Sequence, residues 1–342
     1  MFAVRYDMRC PEWSPVSPGE LYATALEQAT FVDRLELGSL VLSEHHGSPD
    51  GYLPSPLVLG AGMAAVTTTT HISIAAVLAT LYDPVRLAED IAVLDLVSGG
   101  RISLTLGLGY RREEYDMLGI PWEGRGRRLD ECLDVLLRAW SGERFAWDGR
   151  TVEVRPLPLQ KPHPLVFVGG SSPVAARRAA RFGLSFLPTI GDPALTAAYE
   201  AECERLGTTP GFALEPSGPA LVHVAEDPDR AWDQVGPHLL HDAQVYESWQ
   251  PPGQRTMVTA GPEAVVSVET LRTAGRYLVV TPEECAALIR EHGSVVLHPL
   301  VGGMPADLSW PSLQLVVDRV RPLLTPAVED ATATVEAPGA AE

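Results

Sequence analysis

An α/β barrel of eight parallel strands, (β/α)8, is the fold class that this 342-residue sequence predicts. Three observations carry that expectation. Strand-like and helix-like segments alternate four times within about the first 105 residues, a pattern of parallel strands joined by crossover helices. The alternation then continues to Leu324, and eight strands can be counted in all. No Gly-x-Gly-x-x-Gly follows the first strand, which disfavours the open doubly wound sheet that shares this pattern.

The elements follow in order. Phe2 to Arg5 predicts strand one, and Glu20 to Arg34 a helix with Leu21, Ala25, Leu26 and Ala29 on one face. Ser39 to Ser43 is strand two. Pro54 to Thr67 is a helix with proline near its first turn. Ile72 to Leu78 is strand three. The helix opened by Pro84 buries Leu87, Ile91 and Leu94 and stops at Ser98-Gly99-Gly100. Arg101 to Leu106 is strand four, and Arg127 to Trp140 an amphipathic helix. Phe145 to Val154 contains Asp148-Gly149, a hairpin signal. Leu165 to Val168 is strand five, followed by a helix from Pro173 to Phe182. Leu184 to Leu187 is strand six, with its helix at Pro193 to Leu206. Ala220 to Ala225 is strand seven, followed by a helix from Pro228 to His241. Ser294 to Pro299 is strand eight, and Pro311 to Leu324 the closing helix. Extra residues fall at 107–164 and 243–293. Residues 1–324 are expected to form a single barrel domain with insertions. Residues 325–342, rich in Ala, Pro, Thr and Glu, are expected to be a disordered tail.

Composition narrows the function classes. Lys plus Arg is 26 and Asp plus Glu 44, so the formal net charge is −18. An acidic chain without a basic run argues against nucleic acid and anionic membranes as partners. Cys10, Cys132, Cys203 and Cys285 are too far apart for a Cys-x-x-Cys motif, and reduced thiols in a cytoplasmic protein are the expectation. The start MFAVRYDMRC lacks the charge and apolar pattern of a signal peptide, and no apolar run reaches the roughly 18 residues of a membrane span.

In a barrel the chemistry sits at the carboxyl ends of the strands. Those ends carry Tyr6-Asp7, Glu44-His45-His46-Gly47, Ala79-Thr80, Gly107-Leu108-Gly109-Tyr110-Arg111, Gly169-Gly170-Ser171-Ser172 and His298-Pro299. Adjacent strand side chains point to opposite faces, so His45 and His46 are not expected to share a metal ion, and no metal site is expected. His45 is either a general acid or base or a hydrogen-bonded structural histidine. The two glycine-rich turns either present backbone N–H groups to an anion or simply turn the chain. Arg111 and Arg112 either add charge there or are solvated.

Read together, these segments resemble the bacterial luciferase-like family of flavin-dependent oxidoreductases. The likeness is carried by Ser43-Glu44-His45-His46, Gly51-Tyr52-Leu53-Pro54-Ser55-Pro56, Asp83 to Asp90, Leu94-Asp95, Ser98-Gly99-Gly100-Arg101, Gly107 to Arg111, Val168 to Ser171 and Thr281 to Glu284. The resemblance implies a TIM barrel. It also implies reduced FMN as cofactor, with coenzyme F420 as the alternative. The cofactor carries the difficult chemistry, and the protein orients and shields it. The leading expectation is a two-component monooxygenase acting with O2 on a small organic substrate, supplied by a separate flavin reductase and assembled as a homodimer. Hydride transfer with F420 is the rival, and a non-catalytic subunit of a heterodimer the third. Matched by position, His45 is the active-site histidine. Ala75 and Ala76 form a cis peptide beneath the flavin ring. Gly107, Leu108, Gly109, Tyr110 and Arg111 contact ring and phosphate, and Gly169, Gly170 and Ser171 bind the phosphate. The arginine that some FMN-using members carry at the position of Leu108 is absent, as is a carboxylate some luciferases carry at that of Gly170. Tyr6, Tyr52 and His298 are the substrate-side candidates, with Tyr110, Tyr246, Trp249 and Tyr277 as further pocket walls. His46 is expected to point away from the ring.

Overall fold

Helices begin where the sequence supplies a capping side chain followed by proline. In the computed structural model, which describes residues 1–250 and 265–324, Ser17 and Glu20 form a reciprocal capping box on the helix Pro18–Arg34. Asp83 accepts from Val85 and Arg86 at the start of Pro84–Ser98, and Thr281 with Glu284 does the same for Pro282–His292. Each pairing satisfies amide groups that a helix start leaves without partners.

The strands are β1 (Phe2–Tyr6), β2 (Gly38–Leu42), β3 (Ile72–Val77), β4 (Ile102–Leu106), β5 (Phe145–Trp147), β6 (Arg150–Val152), β7 (Leu165–Gly170), β8 (Ser185–Pro188), β9 (Leu221–Val224), β10 (Tyr277–Val280) and β11 (Val295–Leu297). Nine of them form one parallel sheet in the order β10-β9-β11-β1-β2-β3-β4-β7-β8. β1 pairs with both β2 and β11, so the first and last strands of the chain are neighbours, as a barrel requires. Beyond β8, Phe186 pairs with Ala213, and the edge of β8 is covered before β9 begins. β5 and β6 form the expected hairpin, with Asp148 and Gly149 both at positive φ, the backbone a tight two-residue turn needs. Val4, Leu40, Ile72, Ile74 and Leu104 of the strands share one buried core with Leu21, Ala25, Met63, Leu87, Ile91 and Leu133 of the surrounding helices.

The structure corrects the count of strands. β10 and its helix Pro282–His292 lie within what the sequence presented as an insertion, and β10 joins the sheet beside β9. A strand of four residues, between a helix-ending glycine and a capping box, is too short to announce itself. The helix after β9 runs from Pro228 to Trp249, eight residues further than expected, and this extension carries aromatic side chains into the barrel mouth. The closing helix begins at Ala306. The proposed tail, 325–342, and residues 251–264 of the insertion lie outside the described residues. No helix among the described residues is long and apolar enough to cross a membrane, and the four cysteines are free.

Arg101, the last residue of the Ser-Gly-Gly-Arg turn, shows what that motif does. Its guanidinium donates to the carbonyls of Ser98 (2.6 Å), Ala64 (3.0 Å), Thr67 (3.0 Å) and Thr70 (2.8 Å) and to the Thr67 hydroxyl (2.9 Å). It closes the open end of the helix Pro56–Val66 and aligns the entries to β3 and β4. Arg101→Ala leaves several acceptors unpaired at once and is expected to destabilise the fold by about 2–4 kcal/mol, measured by urea unfolding.

Candidate active site

Three loops meet at the carboxyl ends of β2, β3 and β4, and two buried carboxylates hold them. Glu44 and Glu114 are 2% and 1% exposed. Glu44 accepts from the Leu78 amide (2.9 Å), the Tyr82 hydroxyl (2.7 Å) and His46 Nε2 (2.7 Å). Glu114 stands in the short helix Arg112–Met117 and accepts from the His46 amide (3.0 Å) and His45 Nδ1 (2.8 Å). The two histidines thus serve different carboxylates, and His46 is directed away from His45.

Burial holds the His45 imidazole below its ordinary pKa, and the hydrogen bond and charge of Glu114 oppose that shift without cancelling it. Burial alone would raise Glu114, but the bonds from His45 and His46 and the charge of Arg111 hold it below the usual carboxylate range. An ionised acceptor at Nδ1 fixes the neutral tautomer that carries its proton there. Nε2 is left as the working nitrogen, 3.3 Å from the Tyr110 hydroxyl. Rings of Tyr52, Trp249, Tyr110 and Tyr246 surround the imidazole, with centroids 4.8, 4.8, 5.3 and 6.2 Å away.

Beside this pair runs a floor of small residues. The Ala75–Ala76 peptide is cis, as the family resemblance implies. A Cβ placed on Gly107 would lie 3.5 Å from the Ala76 Cβ, and one on Gly169 would lie 2.9 Å from Thr105 Cγ2. β3, β4 and β7 are neighbours, so Ala75, Ala76, Gly107, Gly169 and Gly170 lie along adjacent strand ends. Ser172 caps the helix Pro173–Arg181 immediately after this floor. The Leu108 carbonyl is held by the hydroxyls of Thr80 and Tyr115, and Gly109 takes a positive φ at the turn. A run of small residues along adjacent strand ends, leading into a helix start, suits a planar ring bearing a phosphate.

Two expectations need correction. Tyr6 does not face the mouth: its hydroxyl donates to Gln28 on the helix Pro18–Arg34, which bonds in turn to Ser309. The alternation of β1 turns Arg5 toward the site instead, against Ser43 (3.3 Å), Tyr52 (3.4 Å) and Tyr246. Nor is Arg111 a solvated residue. It is buried, donates to the His46 carbonyl (2.8 Å) and stacks on Trp249 at 4.0 Å, so its charge lies beside His45. His298 is buried with Nε2 3.4 Å from Asp7. Asp7, Asp242 and His298 converge closely enough to suggest a cation site. The Arg9 guanidinium, 2.7 Å from Asp242, already supplies the positive charge there.

Sequence reasoning missed Arg5, Arg9, Glu44 as an anchor, Glu114 and Asp242. Glu114 had a faint signal, a carboxylate one helical turn beyond a glycine-rich strand end. Arg9 and Asp242 are 233 residues apart, and nothing local links them.

Fold and site define a (β/α)8-type barrel protein with its polar groups gathered at the strand ends around a buried histidine–carboxylate pair. A family model described as luciferase-like monooxygenase matches residues 10–297, and the chain belongs to that family. It is 26% identical over 199 residues to the oxygenase component of the flavin-dependent trigonelline monooxygenase of Acinetobacter baylyi, covering 54% of this chain and 55% of the relative. It is 34% identical over 116 residues to the FMNH2-dependent dimethylsulfone monooxygenase of Pseudomonas putida, covering 32% of each. The crystal structure of the monooxygenase RslO1 from Streptomyces bottropensis superposes with a TM-score of 0.74 at 23% identity, covering 94% of this chain and 98% of that one, a likeness of fold. The chain spans about half the length, 51% and 55%, of two curated relatives from Sinorhizobium fredii.

Glu114 raises the His45 pKa against burial, so Glu114→Gln is expected to lower it further. Nitrogen-15 NMR of the imidazole should show the titration moving to lower pH, with loss of the fixed Nδ1–H tautomer.

Proposed function

We propose that the protein is a flavin-dependent monooxygenase that uses reduced FMN and O2 on a small organic substrate. The observation that carries the reading is the neutral His45, its Nε2 exposed to the mouth by Glu114, beside a floor made of the Ala75–Ala76 peptide, Gly107 and Gly169. Reduced flavin, when bound, supplies the electrons that activate oxygen. The chain's own residues do the rest. The small floor admits the ring. The amides of Gly169, Gly170 and Ser171, with the start of the helix Pro173–Arg181, receive the phosphate in place of the arginine absent at Leu108. Tyr52, Tyr246 and Trp249 keep water from the reacting face. His45 Nε2 takes a proton from the substrate and returns it, and the Tyr110 hydroxyl orients the same nitrogen.

The names of relatives support the cofactor and its supply: one acts with FMNH2, and another is the oxygenase component of a larger system. We therefore infer a separate reductase as partner. Residues 1–324 are taken as one catalytic unit, and the free thiols suit a cytoplasmic location. A homodimer is supported by Val58, Val93, Leu96 and Val97, which expose apolar surface on the packed helices Pro56–Val66 and Pro84–Ser98. Paired substitution Val93→Glu and Val97→Glu should then shift the sedimentation coefficient toward that of a monomer.

Anaerobic titration with reduced FMN and reduced F420, followed by admission of O2, tests the reading. FMN binding with oxygen-dependent substrate oxidation is expected, and hydride transfer from F420 without oxygen overturns it. His45→Ala should depress turnover roughly 10²–10⁴-fold at saturating cofactor, whereas His46→Ala should act mainly on stability. A bulky residue at Gly170 is a poor probe, because its Cβ would meet Ala175 at 2.6 Å. Gly107→Val has room at Cβ and should weaken flavin binding about tenfold or more with an unchanged unfolding midpoint, since it projects from the floor itself.

A further inference from the structure

The charges in the mouth pair off with one exception. Asp242 holds Arg9 at 2.7 Å and accepts from the Tyr277 hydroxyl at 2.5 Å. Asp50 is held by His241 at 2.8 Å and Asp7 by His298 at 3.4 Å, with Arg9 3.6 and 3.7 Å from the two. Glu114 and Arg111 are paired at 3.4 Å, and Glu44 is held by His46 at 2.7 Å. Arg5 alone among these has no carboxylate at ion-pair distance within the described residues; Asp7 and Asp242 act on its charge only from further away. Its guanidinium meets only neutral oxygens, of Ser43, Tyr52 and Tyr246. It nevertheless keeps accessible surface at this depth, so a ligand in the barrel can reach it.

The groups around Arg5 are donors as well. Burial pushes both the Tyr52 and Tyr246 phenols above their ordinary pKa, so they retain their protons. Their hydroxyls lie 2.7 Å apart, so one donates to the other and one proton is left to offer a ligand. The fully buried Arg9 stacks on Tyr52, Tyr246 and Trp249 at 4.7, 4.1 and 5.0 Å, and its Nε and one terminal nitrogen have no hydrogen-bond partner. A guanidinium with no carboxylate in contact, in a low-dielectric pocket, is a strong recognition element for an anionic oxygen. The same aromatic rings that carry Arg9 flank His45 and offer flat apolar walls.

From this geometry we propose that the substrate is a planar, unsaturated molecule bearing an anionic oxygen, a carboxylate or an acidic enol, which Arg5 binds with the hydroxyls of Tyr52 and Tyr246 while the ring lies beside His45. Arg5 is the specificity-determining residue. The proposal rests on the oxygenase reading for its meaning as a substrate site, but the binding itself does not need flavin.

Isothermal titration calorimetry of the full chain without added flavin tests it near neutral pH with three probes: benzoate, the enolate of cyclohexane-1,3-dione, and benzamide as the neutral isostere of benzoate. At least one anion should bind about tenfold or more tightly than benzamide, and which one does so distinguishes carboxylate from enol. Arg5→Gln should abolish the preference and Tyr246→Phe should reduce it several-fold. If Arg5→Gln does not fold, as judged by near-UV circular dichroism, Tyr246→Phe decides the matter. No preference for either anion in the wild type, or a preference that survives these substitutions, overturns the proposal. Anion preference in a protein that fails to bind reduced FMN would refute the oxygenase reading and leave the anion site standing.

Discussion

Two carboxylates buried at the mouth of the barrel govern everything built there. An ionised carboxylate removed from water is tolerated only when donors surround it. Glu44 draws its donors from the loops after β2 and β3, and Glu114 draws its own from the loop after β2 and the segment after β4. Three independent strand ends are thereby locked to one another. The position and tautomer of His45 follow from that lock, and so does the placement of Tyr110 and Arg111, which lie in the same segment as Glu114.

Much of the sequence signature shared with the luciferase-like family proves to be scaffolding. Asp83 caps a helix. Asp95 accepts from both the backbone and the side chain of Gln160 and ties the chain before β7 to the barrel. Arg101 gathers carbonyls from two loops. None of these touches the mouth. They set the angles of helices and strands, so the small residues at the ends of β3, β4 and β7 come into line. Short motifs of this kind carry a fold from one relative to another while leaving the substrate open.

The charge network around Arg9 has a different origin. A fully buried guanidinium persists here because three carboxylates and three aromatic rings share it. They come from β1's end, the loop before the helix Pro56–Val66, and the long helix Pro228–Trp249. That helix crosses to the mouth and delivers Asp242, Tyr246 and Trp249 from successive turns of one face, at the helical spacing of three to four residues. Polar satisfaction and aromatic packing therefore fix one element in place together.

The parallel alternation, most of the helix starts and the hairpin are legible in the sequence, because caps, prolines, glycine stops and apolar periodicity act over a few residues. The family likeness also singles out His45, Gly107, Gly169 and the Ala75–Ala76 peptide, which is cis. The partners of these side chains are set by contacts between distant segments. Arg5 rather than Tyr6 faces the mouth because the face of β1 that meets the helices depends on the sheet's closure, not on β1's own five residues. Glu114 became the anchor of His45 across 69 residues and Asp242 that of Arg9 across 233. β10 went unseen because a four-residue strand is stabilised by its neighbour β9 rather than by its own sequence. Hydrogen bonds and ion pairs between distant segments are chosen by burial in the folded chain, and burial is a property no local stretch of sequence possesses.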